Sequence, residues 1–240
     1  HSTSRRQRQM CIRDRAQMNL NELPENQMLP RTGILQFFIL YDRNYGMAIQ
    51  ESGYPNNTYQ VVYHEKIDES ITEADVLSIG IKTTGDLEKE NKSVNQQDSN
   101  CFPVRGENAV SFKIEKAYMN DCDVRCDELL HKIAEELGVE LDSRLEFYQM
   151  FDEYDKKYVD IHESTYGHRM FGYPHFRQWD PRGVEAADYY DTLLFQLDSD
   201  YWKNQWRILW GDAGVGAFFI NSKKLEELDF GDVLYSWDCH

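Results

Sequence analysis

Short apolar runs separated by turn residues recur along most of the chain, and this pattern predicts strands. Runs of this length that are rich in β-branched and aromatic residues are typical of buried strands. Residues 110–118 alternate apolar with polar side chains and form the clearest half-buried strand, whereas residues 76–81 alternate more weakly. The buried-strand runs are residues 34–41, 59–63, 191–197, 205–210, 215–220 and 233–237.

Two helices are predicted in the middle of the chain. Five apolar residues recur at helical spacing behind Asp123, which is suited to cap the helix, and Gly138 follows them as an end signal. Ser143 and Glu146 have the spacing of a capping box for a second helix, running towards Tyr158. The apolar face of the first helix consists of Leu129, Leu130, Ile133, Ala134 and Leu137.

The order of these segments predicts the fold class. Residues 16–23 are a short mixed segment stopped by Pro24, and residues 86–100 are polar enough to be a loop. Strands are followed by helices and then by strands again, which favours an α+β domain over an alternating α/β one. We expect a mostly antiparallel β-sheet with a few helices.

The two ends of the chain share a weak repeat. In each copy a Gln is followed, 16 or 18 residues later, by a Gly that opens an apolar run containing Phe-Phe-Ile, and a Val-x-Tyr segment comes after it. Three features in the same order suggest an internal duplication whose copies build one shared core. The copies are Gln17, residues 33–39 and residues 61–63, and Gln196, residues 214–220 and residues 233–235.

The charge of the chain excludes some functions. Its 240 residues include 26 Lys and Arg against 42 Asp and Glu, a net charge of −16. Nucleic-acid binding needs clustered basic residues, so we expect no nucleic-acid partner. No apolar run approaches the roughly 20 residues of a membrane helix, so we expect no membrane partner either.

The first fifteen residues differ from the rest in composition. Residues 1–15 carry five Arg and one Asp, which leaves 21 basic and 41 acidic residues and a net charge of −20 in residues 16–240. A basic arm is one interpretation. Residues 6–15 also resemble translated adapter read-through, and we therefore predict a non-native basic extension at 1–15 and a single domain at 16–240.

Several short motifs stand in a distinctive order from residue 16 to the end of the chain. Each is weak alone, and the ordered set is more specific. The motifs are Ala16-Gln17-Met18-Asn19-Leu20, Leu29-Pro30-x-x-Gly33-Ile34-Leu35-Gln36-Phe37-Phe38, His168-Arg169-Met170-Phe171-Gly172-Tyr173-Pro174, Gln178, Leu194-Phe195-Gln196-Leu197-Asp198-Ser199-Asp200, Trp210-Gly211-Asp212-Ala213-Gly214, Phe218-Phe219-Ile220 and Ser236-Trp237-Asp238-Cys239.

This ordered set resembles the YwqG-like family, a bacterial domain of unknown function. The resemblance implies the fold but no established reaction. It also implies a leading segment with a Gly-x-Pro and a Trp-Pro, so we expect this chain to lack the first part of the domain. The absent Gly-x-Pro would be the counterpart of Gly172-Tyr173-Pro174.

Histidines and cysteines give little indication of a metal or a cofactor. His162, His168 and His175 are widely spaced, and Cys122 and Cys126 form one C-x₃-C without a second pair. We predict no metal and no cofactor, and we expect His168 to be a hydrogen-bonded residue that holds the Gly-x-Pro turn. The cysteines lack disulfide-framework spacing, so reduced thiols and a cytoplasmic location are expected.

Strand-end carboxylates beside aromatic residues offer one candidate site. Two carboxylates flanked by aromatics could serve a glycosidase as acid and as base or nucleophile, although solvated turns also contain such residues. We assign no catalytic residue. The candidate ligand-binding residues are His168, Gln178, Asp198, Asp200, Trp202, Trp210 and Asp212.

The combination of acidic charge and crowded aromatic residues favours an interaction protein. Twelve Tyr, Phe and Trp positions between residues 166 and 210 are expected to supply core and interface anchors. We predict a non-catalytic protein-binding module with an acidic aromatic surface, whose partner is a basic protein such as a toxin or a regulator. The alternatives are a hydrolase or carbohydrate-binding domain that uses the strand-end carboxylates, and a metal protein; the oligomeric state stays open.

Overall fold

A computed structural model describes residues 12–40, 58–78, 108–142 and 165–240, together with residues 42, 44–47, 102–104, 144, 146 and 149. These residues form helices and antiparallel sheets, so the predicted α+β class with mostly antiparallel sheet is confirmed. The chain divides into two compact units. Residues 1–21 and 32–102 make the first unit, and residues 22–31 and 103–240 make the second.

The first unit contains a three-stranded antiparallel sheet. Its strands are β1 (Ile12–Asn19), β2 (Ile34–Leu40) and β3 (Tyr59–His64), in the order β1-β2-β3. Alternate residues of β2, namely Leu35, Phe37 and Ile39, are completely buried. The strand therefore turns one side chain in two into the core, as the period of two along a strand requires.

Strand β1 was not predicted. It pairs antiparallel with β2, from Ile12 opposite Leu40 to Asn19 opposite Ile34, and a 3-10 helix (Leu20–Glu22) follows it. Its first four residues belong to the segment predicted to be a non-native extension. The mixed composition of residues 16–23 hid the strand, because in the described part of the strand only Met18 is a buried apolar side chain.

The second unit contains the other strands. Strands β4 (Thr192–Asp198), β7 (Val215–Ile220) and β8 (Val233–Asp238) form an antiparallel sheet in the order β4-β7-β8. Strands β5 (Asp200–Trp202) and β6 (Gln205–Ile208) form a separate hairpin. Every residue of the central strand β7 is buried, which explains its continuous apolar run.

The helices are short. They are α1 (Glu73–Ser78) in the first unit and α2 (Cys126–Glu136), α3 (Gly183–Tyr189) and α4 (Ser222–Glu226) in the second. The predicted first helix is α2, and Gly138 just beyond it has a φ of +68°, the left-handed conformation that ends many helices. Of the predicted helix at residues 143–158 only residues 144, 146 and 149 are described, and the predicted loop at residues 86–100 lies outside the described residues.

The predicted repeat has a structural counterpart in the two three-stranded sheets. Each first strand has a bulge two residues before its Gln: at Arg15 before Gln17, and at Leu194 before Gln196. After the first strand of each copy, a backbone N–H donates to the carbonyl of the Gly that opens the Phe-Phe-Ile run. Leu20 donates to Gly33 at 2.9 Å, and Ser199 donates to Gly214 at 3.1 Å. The Phe-Phe-Ile runs form the central strands of both sheets.

The third strands of the two copies differ in register. Val61 of β3 lies opposite Phe37, whereas Tyr235 of β8 lies opposite the corresponding Phe218. The Val-x-Tyr match of the repeat is therefore displaced by two residues. A shift of two keeps the same side chains on the same face, so the burial pattern survives it.

Two predicted strands are wrong. Residues 76–78 form the end of α1, because Thr72 and Asp75 cap this helix: the backbone N–H of Thr72 donates to Asp75 Oδ2 at 2.9 Å. This Thr-x-x-Asp pattern indicates the start of a helix, and it decides the structure here against the strand that the weak alternation of residues 76–81 predicted. Residues 79–81 lie outside the described part of the chain.

The alternating segment at residues 110–118 is also not a strand. It makes no ladder with any described residue, and Ile114 is 77% exposed. Alternation makes a segment suitable for a sheet, but a strand exists only where a neighbour accepts its backbone hydrogen bonds. In the described residues this segment has no such neighbour.

Candidate functional site

The candidate residue Asp198 forms a buried ion pair at the end of β4. Its Oδ1 accepts a hydrogen bond from the Arg177 guanidinium at 3.1 Å and from the Ser199 backbone N–H at 2.8 Å, and its Oδ2 accepts from the Gly167 N–H at 2.7 Å. The side chain is 3% exposed, and that of Arg177 is 12% exposed. Both oxygens are therefore occupied by the protein itself, as an internal structural carboxylate requires.

Gln178 and Asp238 join the chain before α3 to the end of β8. Asp238 Oδ2 accepts hydrogen bonds from the backbone N–H groups of Arg177 and Gln178, at 2.8 and 3.0 Å. The Gln178 side-chain amide donates to the Cys239 carbonyl. Burial raises the pKa of Asp238 above its usual range, and the two backbone donors oppose this shift.

His168 is hydrogen-bonded to the end of β4, next to the start of the β5–β6 hairpin. Its Nδ1 accepts a hydrogen bond from the Asp198 N–H at 3.1 Å, so in the neutral ring the proton lies on Nε2, which is 4.0 Å from Asp200 Oδ2. Partial burial lowers the pKa of His168, whose side chain is still 38% exposed, and the nearby Asp200 and Asp198 oppose this shift. The turn at Gly172 is instead held by Arg169, whose guanidinium donates to the Tyr166 and Tyr173 carbonyls.

Asp200 and Trp202 lie on the exposed hairpin. Asp200 forms an ion pair with Arg207, whose guanidinium lies over the Trp202 ring, 5.4 Å from its centroid. Trp202 is 53% exposed. The structure thus brings three candidates, His168, Asp200 and Trp202, close to one surface of the hairpin.

Trp210 and Asp212 do not join this group. Trp210 is 1% exposed and stacks on Trp237 at 6.4 Å, and a Cβ on Gly216 would lie 2.6 Å from its ring. A ring this deeply packed offers no face to a ligand. Asp212 is exposed in the turn that follows, where its backbone carbonyl accepts from the His240 N–H at 3.3 Å.

The interior contains polar residues that the sequence analysis did not select. Gln196 is fully buried; its Oε1 accepts from the His175 N–H at 2.7 Å and its Nε2 donates to the Gly167 carbonyl at 2.8 Å. His175 Nδ1 lies 3.1 Å from Asn120 Nδ2 and 2.8 Å from Thr165 Oγ1. These bonds join distant segments, and the only sequence signal was the position of Gln196 in the repeat.

A second buried charge cluster lies before α2 and α3. Arg182 donates to Asp180 at 2.7 Å and lies 3.4 Å from Asp123, which also pairs with Arg125 at 2.7 Å. The Arg182 guanidinium lies over the Phe219 ring, 4.4 Å from its centroid. Two carboxylates and two guanidinium groups balance in charge, which is the arrangement that makes buried ions tolerable.

The described residues contain no group of three or more His, Cys, Asp and Glu side chains placed to hold a metal. Cys122, Cys126 and Cys239 are free thiols. Burial raises the pKa of Cys122 to about 11 and that of Cys126 to about 12, and nearby carboxylates add to both shifts. At neutral pH both are therefore protonated, which makes them poor nucleophiles and metal ligands.

A small recess lies beside β7 and β8, next to Phe176 and Trp237. Its free space of about 10 Å³ corresponds to roughly one water molecule. This recess is too small for a sugar or a peptide side chain. No helix among the described residues is long and apolar enough to cross a membrane.

Helix α2 has an unusual distribution of apolar residues. The stripe that packs inward is formed by small or partly covered side chains, Cys126, Leu130 and Ala134, while three large aliphatic residues beside it face solvent. Leu129, Ile133 and Leu137 are 38%, 45% and 73% exposed. The predicted apolar face is therefore buried along one edge only.

Acidic residues outnumber basic ones in the stretch of chain that carries these exposed aliphatic side chains. Residues 126–140 contain five carboxylates and one Lys, a net charge of −4. We call Leu129, Ile133, Leu137 and these carboxylates the α2 face. They are Asp127, Glu128, Glu135, Glu136 and Glu140.

The fold and the site geometry define an α+β protein with two sheets related by an internal repeat, an interior rich in buried polar contacts, and an acidic, apolar outer helix. The chain belongs to the family described as a domain of unknown function (DUF1963), whose model matches residues 10–239. A search of curated proteins finds no match.

Proposed function

We propose that this protein is a non-catalytic module that binds a basic protein partner, and that the α2 face is its recognition surface. The observation that carries the proposal is the exposure of Leu129, Ile133 and Leu137 at a spacing of four residues, in a stretch of chain that contains five carboxylates and one Lys. Large aliphatic side chains at this spacing on one helix face are the usual contact points for a partner helix.

Charge determines the kind of partner. A net charge of −4 in the stretch that carries the apolar side chains attracts Lys and Arg and repels an acidic segment. The charge of the whole chain, −16, adds to this attraction at low salt, where screening is weak. A partner helix with apolar residues flanked by Lys and Arg is complementary to this face in both respects.

The hydrolase alternative is less well supported. A glycosidase needs two carboxyl groups that reach the substrate from a cleft. Asp198 is buried and its oxygens accept three hydrogen bonds from the protein, while Asp200 is paired with Arg207.

We also propose that the protein is located in a bacterial cytoplasm, which its free thiols suit. Within its family, we propose that the chain belongs to the YwqG-like members.

A peptide-binding assay tests the proposal. The probe is a labelled amphipathic peptide of Lys and Leu about as long as α2, and fluorescence anisotropy is measured at about 0.05 M and 0.3 M salt. We expect binding that weakens with salt, and no binding of a scrambled peptide of the same composition or of a Glu and Leu counterpart. Equal binding of all three peptides, or of none, contradicts the proposal.

Three substitutions test whether the α2 face is the binding surface. Ile133→Ala is expected to weaken peptide binding about five- to thirtyfold, since it removes roughly 1–2 kcal/mol of apolar contact. Val184→Ala is the matched control, because Val184 is a similarly exposed aliphatic residue on α3. Ile133→Glu distinguishes the possible occupants of the face. A loss of more than about 2 kcal/mol of folding stability would mean that the chain covers this face itself, and the proposal would be wrong.

A further inference from the structure

The β5–β6 hairpin is a second exposed surface, and it differs from the α2 face in charge. The strands are joined by Lys203 and Asn204, which have φ values of 48° and 62°. Two consecutive residues with positive φ are typical of a tight two-residue hairpin turn whose twist matches that of the strands. The tip is therefore a well-defined structural element, although it forms a sheet of only two strands.

The hairpin concentrates residue types that dominate protein interfaces. Tyr201 and Trp202 are each more than half exposed, and Tyr201 contacts Trp206 edge to face with ring centroids 5.0 Å apart. Trp, Tyr and Arg are the side chains most often found at the energetic centre of an interface. Here all three occur within seven residues.

Trp202 lies in a positively charged environment. The Arg207 guanidinium is 5.4 Å and the Lys203 ammonium 5.9 Å from its ring centroid. Arg207 is anchored by Asp200, so its position over the ring is held by the opposite strand of the hairpin. Lys203 is the remaining charge, and residues 200–208 carry a net charge of +1 in a chain of −16.

We propose that the β5–β6 hairpin binds an acidic segment of a partner protein, with Trp202 as the apolar contact and Lys203 and Arg207 as the charged contacts. Charge complementarity is the basis for this choice. At physiological salt the charges within about 8 Å dominate the local field, so the acidic remainder of the chain does not cancel the hairpin's preference. Within residues 200–208 a basic segment, by contrast, would meet Lys203 with no carboxylate other than Asp200, which is already paired with Arg207.

The prediction concerns a different partner class from that of the α2 face and does not depend on it. The probe is a labelled peptide in which Glu alternates with Tyr and Gly, compared with the same peptide carrying Lys in place of Glu. Binding is measured by anisotropy and by quenching of tryptophan fluorescence. We expect the acidic peptide to bind at least tenfold more tightly than the basic one.

Three variants test the hairpin directly. Trp202→Ala and Lys203→Glu are each expected to weaken binding of the acidic peptide by tenfold or more. Trp179→Ala is the matched control, because Trp179 is 66% exposed and lies outside the hairpin. Circular dichroism and thermal unfolding are measured on every variant, so that a loss of binding is not mistaken for a loss of folding.

Several results would overturn the proposal. Failure of the acidic peptide to bind the wild type, equal binding of the acidic and basic peptides, or an unchanged affinity in Trp202→Ala would each do so. Quenching by a neutral oligosaccharide, lost in Trp202→Ala, without any response to the acidic peptide would assign the hairpin to sugar binding instead. If Lys203→Glu unfolds the protein, Lys203→Gln provides the same comparison.

Discussion

Replacing Asp198 with Asn removes the negative charge from a buried ion pair while keeping the size of the side chain. In the native protein this carboxylate accepts from Arg177 at 3.1 Å, from the Ser199 N–H at 2.8 Å and from the Gly167 N–H at 2.7 Å. In the variant one oxygen becomes an NH₂ group, so a donor must face either the Gly167 N–H or the Arg177 guanidinium. The guanidinium also loses the charge that neutralises it.

The expected cost is large because the pair is almost completely buried. Breaking a buried ion pair by removing one partner costs about 3–5 kcal/mol, since an uncompensated charge stays inside the protein. Total folding stabilities are about 5–15 kcal/mol. For a protein of this size each kcal/mol lowers Tm by roughly 2–4 °C, so Asp198→Asn should lower it by roughly 6–20 °C.

Urea unfolding followed by tryptophan fluorescence measures this cost. Asp200→Asn is the control, because its pair with Arg207 is partly exposed and such pairs contribute about 0–1 kcal/mol. Adding Arg177→Met should recover part of the loss, since it removes the unpaired charge. If Asp198→Asn costs no more than Asp200→Asn, or if it stabilises the protein as removal of a strained catalytic group often does, the structural role of Asp198 is refuted.

Three further predictions concern packing, pH and thiol reactivity. Gly216→Ala should destabilise the protein by about 1–3 kcal/mol or more in thermal unfolding, because the new methyl group would lie 2.6 Å from the Trp210 ring. The lowered pKa of His168 means that the unfolded chain binds a proton before the folded one as pH falls below about 6.5. Stability from this residue is therefore full above that pH and is lost as pH falls; urea unfolding from pH 7.5 to 5 should show the wild type losing more stability than His168→Asn. Cys122 and Cys126 should react slowly with a thiol reagent at neutral pH, since their pKa values are raised to about 11 and 12.

Each of these predictions has a direct counter-result. Gly216→Ala should couple favourably to Trp210→Phe, whose smaller ring leaves room, and purely additive effects would contradict the packing argument. Parallel pH profiles of stability for the wild type and His168→Asn would show that folding does not lower the pKa of this histidine. Rapid labelling of both thiols in the folded protein, at the rate seen in urea, would contradict their protonated, buried state.

The local pattern of apolar residues was sufficient to predict most of the strands. The run at residues 34–41 and the run at residues 215–220 became β2 and β7, because a continuous apolar run of this length has few alternatives to a buried strand. The repeat also had local causes, since a Gln, a bulge and a Phe-Phe-Ile strand recur with nearly the same spacing. Helix α2 followed from its apolar spacing and from Gly138.

Tertiary contacts decided the rest, and the candidate site shows why. Asp198, Asp200 and Asp212 are alike in sequence context, yet one is buried on Arg177, one is paired on an exposed hairpin and one lies in an open turn. Residues 110–118 have the pattern of a strand but no described neighbour to pair with. On the predicted apolar face of the α2 segment, Ala134 is buried, while three of the four large residues are exposed. A sequence specifies which side chains are apolar or charged and at what spacing. Burial, pairing and protonation depend on which distant segment lies opposite, and only the folded chain brings those segments together.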